Sequence, residues 1–145
     1  MAFRFSLATV LRVRKIIEER EEGVLQKILF DISTIFDQLE RNDAEIMESD
    51  ASRHTDISQS CIGLQVHDSY GKVRQLKERR KELERQIEKL EQARDEQLIV
   101  YDAARRDREM LTDMREKKRT AYDSDMSKRE QSTMDDNYIA RRGRS

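Results

Sequence analysis

The residues best suited to chemistry lie in a short stretch near the middle of the chain. His54, Asp56, Cys61, His67 and Asp68 fall within fifteen residues and are the types that ligate metals. Their spacing lacks the close ligand pairs from which structural zinc sites are built. The segment 49–63, which carries the first three of them, is rich in Ser, Thr and Asp, which compete for backbone hydrogen bonds and favour turns. The reading is therefore a solvated turn with no metal and no cofactor. Ser, His and Asp also co-occur here, but with no core to hold a nucleophile against a base, and no Gly-rich phosphate loop is present. Basic clusters stand at Arg105, Arg106 and Arg108, at Lys117, Lys118 and Arg119, and at Arg141, Arg142 and Arg144. Nucleic acid would be their natural ligand, yet Asp102, Asp107, Glu109, Asp113 and Glu116 interrupt them. They read as the exposed face of a helix, and no nucleic-acid partner is expected. The Arg cluster at the end can still steer an acidic protein.

The elements that would position any site are unusual. Of 145 residues, 36% are hydrophobic and 41% charged, with no Trp and no Pro. A proline inside a helix costs about 3 kcal/mol, so its absence permits very long helices. From Val73 to Tyr122 an apolar seam steps 3, 4, 3, 4, and nine of its fifteen positions are apolar or aromatic. The six exceptions, Arg80, Arg94, Gln97, Arg108, Arg115 and Lys118, have long side chains. Arg and Lys can lay their methylene stems along the seam while the charge reaches water. A period of 3.5 sustained this far is coiled-coil geometry, and so narrow a stripe requires a partner helix.

The first third of the chain supplies that partner. Leu7, Leu11, Arg14, Glu18, Glu21, Leu25, Ile28, Ile32, Ile35, Leu39, Asn42 and Ile46 form a matching seam, eight of twelve being apolar. Val10, Ile17 and Val24 run beside it and are expected to broaden it. Asn42 is either a register-fixing polar group or a tolerated irregularity. Ser6 is expected to cap the first helix, with Phe5 and Val10 forming a hydrophobic staple over its first turn. Residues 1–48 carry 7 basic and 10 acidic side chains, a balance of −3, whereas 72–145 carry 21 and 17, a balance of +4. Opposite signs suit two helices lying side by side.

The expectation is thus an all-α fold: a long two-helix antiparallel coiled-coil hairpin forming a single domain over 1–145. Helix 1 is expected over about 4–55, the turn over 56–63, helix 2 over 64–140, and a frayed tail over 141–145. Gly71 is read as a weak spot inside helix 2. With the turn near residue 60, position i faces about 120 − i. The last ~30 residues then outrun helix 1 by ~45 Å. Past Leu111 the seam thins to the apolar remnants Met114, Ala121, Tyr122, Met126, Met134 and Tyr138, of which Tyr122, Met126, Met134 and Tyr138 are expected to seek another protein. A two-helix seam leaves no room for a substrate cavity, so the chain is not read as an enzyme. One cysteine, no long apolar run and a charge-broken N-terminus point to a cytoplasmic protein without direct membrane insertion.

The opening Phe3, Arg4, Phe5, Leu7, Leu11, Arg14, Lys15 and the acidic turn Glu18–Glu22 resemble the start of the FliJ family of flagellar export proteins. Tyr122, the run Lys128-Arg129-Glu130-Gln131, and Met134-Asp135-Asp136 are similar to that family's C-terminal pattern. Asn137 and Tyr138 depart from it, where the family often carries small or apolar residues. The resemblance covers the whole chain. It implies a non-enzymatic stalk-like coiled coil, similar to the central stalk of rotary ATPases. Its joined termini would enter the flagellar export ATPase ring and couple that ring to the membrane export gate, in support of type III export and motility. The protein would then sit peripherally at the inner face of the membrane. Export chaperones are a further candidate partner. Tyr122, Arg129, Glu130, Gln131, Met134, Asp135 and Asp136 are the ATPase-contact residues the resemblance implies. The competing reading is a coiled-coil scaffold with no ATPase partner.

Overall fold

The computed structural model describes residues 2–58 and 63–144, with the side chains of 56–58, 63–67 and 69 outside the description. Two helices make up the fold: α1, Ala8–Ser58, and α2, Gly63–Gly143. They pack against each other as an all-α hairpin with no strand among the described residues. The chain divides into two compact units, and both helices contribute to each. One unit comprises Met1–Glu21 with Tyr101–Ser145, the other Glu22–Val100.

In the unit formed by Glu22–Val100 the seam is apolar and well covered. Leu25, Ile32, Val73, Leu76, Leu83 and Ile87 are buried, and Ile28, Ile35, Leu39 and Leu90 are half-buried. The most buried side chain in this layer is polar: Asn42 is 3% exposed, and its Nδ2 donates to the backbone carbonyl of Leu76 at 2.9 Å. Its Oδ1 has no hydrogen-bond partner among the described residues. The Nδ2 bond ties one residue of α1 to one turn of α2, the kind of contact that the register-fixing reading of Asn42 requires. Arg80, on the next turn, lies 3.5 Å from Asp43 and also reaches Glu84 at 3.2 Å. Of the turn expected over 56–63, residues 59–62 lie outside the described residues, and nearest to it the Arg53 guanidinium lies 4.4 Å from the Tyr70 ring centroid. Gly71 is exposed within continuous helix, as expected of a tolerated weak spot. Val24 does not broaden the seam; it is 42% exposed.

In the unit formed by the two ends, charge replaces apolar side chains along the seam. Leu11 and Ala104 are buried, but Glu18 and Arg108 occupy seam positions between the helices. They form a two-pronged ion pair, Arg108 donating through Nε at 2.6 Å and through Nη2 at 3.1 Å. That bond holds the Glu18 carboxyl below its usual range and raises the Arg108 guanidinium, burial opposing both shifts. Arg14 meets Asp107 at 3.3 Å, both half exposed, and such a surface pair contributes at most about 1 kcal/mol.

The chain start differs from expectation. α1 begins at Ala8, four residues later than the expected start. Its first turn is closed by the Ala8 N–H donating to the Phe5 carbonyl, and Leu11 N–H bonds Leu7, which puts Leu7 at the cap position expected of Ser6. Val10 is 43% exposed, so it forms no staple and does not widen the seam. Phe5 instead turns towards α2, where it is buried with the Lys118 ammonium 5.8 Å from its ring centroid. Phe3 continues in the same direction, its ring 5.6 Å from that of Tyr122. The physical reason is reach: non-helical backbone advances about 3.3 Å per residue against 1.5 Å in a helix. Residues 2–5 therefore cover more of α2 than helix would, and contact extends to Tyr122. Among the described residues the overhang past this contact is Asp123–Gly143, about 30 Å long rather than ~45 Å. At its far end residues 141–143, expected to fray, are helical, with Arg141 and Arg142 suited to the negative end of the helix dipole.

Candidate docking surface on the overhang

Beyond Tyr122 the sequence keeps forming helix for local reasons, since no residue of α1 lies opposite. Asp123–Gly143 contains no proline and no internal glycine, and a threonine just before it and one within it bond back to helix carbonyls. Thr120 Oγ1 donates to the Glu116 carbonyl at 2.9 Å, and Thr133 Oγ1 to the Arg129 carbonyl at 2.9 Å. What remains on the surface is an amphipathic strip. Successive residues turn by about 100°, so Tyr122, Met126, Arg129 and Thr133 stack on one face.

Together with Glu130 and Met134 these residues line a shallow open groove of about 590 Å³. Tyr122 and Met126 are half-buried and form its root, where the Phe3 ring covers Tyr122. Met134 is 70% exposed at its far end, and Tyr138 and Ile139 beyond it are exposed as well. Arg129 and Glu130 put one charge of each sign on its rim. The arrangement suits protein docking: adaptable thioethers and a phenol ring for packing, an Arg and a Glu for orientation.

Of the seven residues that the resemblance nominated, the structure brings Tyr122, Arg129, Glu130 and Met134 into this groove. Asp136 lies one turn further along the same side. Gln131 and Asp135 project from the opposite face of α2, about half a helical circumference from the Tyr122 line. Met126 and Thr133 line the groove without having been nominated. Their signal was available in the spacing of four and eleven residues from Tyr122.

The remaining chemistry-bearing clusters resolve differently. Among the described residues no group of three or more His, Cys, Asp and Glu side chains is placed to hold a metal. His54 and Asp68 are exposed, whereas Cys61 and the side chains of Asp56 and His67 lie outside the described residues. In the first basic cluster Arg108 is committed to Glu18 and Arg105 lies 3.6 Å from Glu109. No helix, among the described residues, is long and apolar enough to cross a membrane.

A family model described as "Flagellar FliJ protein" matches residues 3–144. No curated protein and no solved structure matches the chain.

Proposed function

The chain belongs to the FliJ family of flagellar proteins, and from that membership we propose that it acts as a stalk, inserting its joined ends into the flagellar export ATPase ring. Membership itself makes it a component of the flagellar export apparatus, in a structural rather than a known enzyme family. The observation that carries the finer reading is the overhang. Asp123–Gly143 continues as helix beyond anything α1 can cover, and it presents the Tyr122–Met134 groove to an outside partner.

In this reading the extended N-terminal residues brace the root of the overhang through the Phe3–Tyr122 ring contact. The Glu18–Arg108 pair holds the two chain ends together, so that whatever grips the overhang also turns α1. Gln131, Asp135 and Asp136, with the groove residues, would meet ring subunits on several sides, as a plug inside a ring requires. Coupling to the membrane export gate would fall to the remainder of the hairpin. The protein would then work in the cytoplasm at the inner membrane face, with export chaperones as further partners.

The test is ATP hydrolysis by the flagellar export ATPase of the same organism, titrated with the full chain and with a chain ending at Asp123. Stimulation by the full chain and its loss on truncation is the expected result. Equal stimulation by both removes the overhang from the contact. An absence of any effect or co-purification removes the ATPase and leaves a scaffold role within the apparatus.

A further inference from the structure

A second surface at the chain ends has a different chemistry. Arg4, Arg12, Lys15 and Arg115 surround a cleft of about 540 Å³ on the unit formed by the two chain ends. All four are exposed, and none has an ion-pair partner among the described residues. Elsewhere in the same unit Arg14, Arg105 and Arg108 are each matched by a carboxylate, at Asp107, Glu109 and Glu18. The cleft is therefore a local concentration of unmatched positive charge on a chain whose net charge is −1. Its floor is apolar, supplied by the buried Phe5 and Leu11.

We propose that this cleft docks a short acidic segment of a partner protein, one carrying two or more carboxylates beside an apolar or aromatic side chain. Charge complementarity selects the carboxylates, and the three guanidiniums can each grip one with two parallel hydrogen bonds. The apolar floor selects the neighbouring side chain. A polyphosphate backbone fits less well, because carboxylates follow the cleft's cations closely along both helices, Glu19 one turn after Lys15, and Asp113 and Glu116 flanking Arg115. The cleft is read from its own charge and lining, and the peptide titration tests it on the protein alone, so its failure and the failure of the ATPase reading are separate results.

Fluorescence anisotropy of a labelled twelve-residue peptide containing four Glu, one Leu and one Phe, titrated with the full chain, tests the proposal. Comparison probes are the same peptide with Gln for Glu, and a single-stranded oligonucleotide of twelve bases. Binding of the acidic peptide is expected to weaken as salt rises. It should fall about tenfold or more in R12E/R115E, and part-way in R12Q/R115Q, which keeps the side-chain bulk. A reversal of two cations in the other unit, R74E/K77E, should leave it unchanged. Equal binding of the Gln peptide, tighter binding of the oligonucleotide, or an equal loss in R74E/K77E would each overturn the proposal. Helix content by circular dichroism identifies any variant that has failed to fold, and the Gln pair then carries the test.

Discussion

Asn42 is the most buried polar side chain in the seam, and replacing it separates two opposing contributions. In Asn42→Leu the Nδ2 bond to the Leu76 carbonyl is lost, a cost of about 1 kcal/mol. That carbonyl remains engaged within α2, so it is not left bare. Against this, the unpartnered Oδ1 disappears, which returns about 1–3 kcal/mol. A buried isobutyl group adds roughly 1 kcal/mol more than the amide. The neighbouring seam residues Leu39 and Ile46 are only half-buried, so the extra branch can be accommodated. The net expectation is stabilisation by about 1–3 kcal/mol, read as a Tm higher by roughly 3–8 °C. Thermal and urea melts followed at 222 nm measure it. The same substitution should cost specificity, because an all-apolar seam no longer prefers one register or one partner. Sedimentation velocity at rising concentration should then show association beyond that of the parent chain. A Leu variant destabilised by about 1 kcal/mol or more would refute the reasoning, and would mean that the single bond to Leu76 outweighs both the orphaned oxygen and the gained burial.

Glu18→Gln should destabilise the unit formed by the chain ends by about 1–2 kcal/mol, since it removes the charge from a two-pronged pair that is 15% and 25% exposed. Because the carboxyl is held below its ordinary range, the stabilisation is complete above the unfolded-state value and is lost as pH falls through the folded-state value. Urea melts at a series of pH values from neutral into the acid range should show the parent losing this increment and Glu18→Gln lacking it. Gly71→Ala should stabilise by about 0.5–1 kcal/mol, because an added Cβ meets nothing within 4 Å and the exposed helix interior gains propensity. A chemical melt in which that variant is weaker than the parent would show a role for the glycine beyond helix propensity.

Much of the fold was legible because a 3.5-residue apolar period admits few structures. Every position of the α1 seam from Leu11 to Ile46 is buried or half-buried, polar members included. In α2 only Arg80, Arg115 and Lys118 of the fifteen seam positions are exposed, and these are long cations whose stems suffice at the edge of a seam. The candidate site was legible less completely. The resemblance nominated seven residues as one set, whereas the helical turn of about 100° per residue puts Gln131 and Asp135 across the helix from Tyr122, Arg129 and Asp136. Met126, an apolar remnant in the sequence, became the root of the groove through its spacing from Tyr122.

Periodicity, composition and charge determined the all-α class, the two helices and their pairing, since these follow from local propensity and from the need to bury a stripe. Partners distant in sequence were decided only by the tertiary structure. Glu18 finds Arg108, Arg14 finds Asp107, and Asn42 finds the Leu76 carbonyl, each across dozens of residues. Their identity depends on side-chain reach and on a register that a turn-centred count places only to within a few residues. The same holds for the chain start. Local signals favoured a helix capped at Ser6, but packing Phe5 and Phe3 along α2 stabilises non-helical backbone through residue 5, followed by a turn at residues 6 and 7. Packing between the helices outweighed one cap, and so set where the overhang begins.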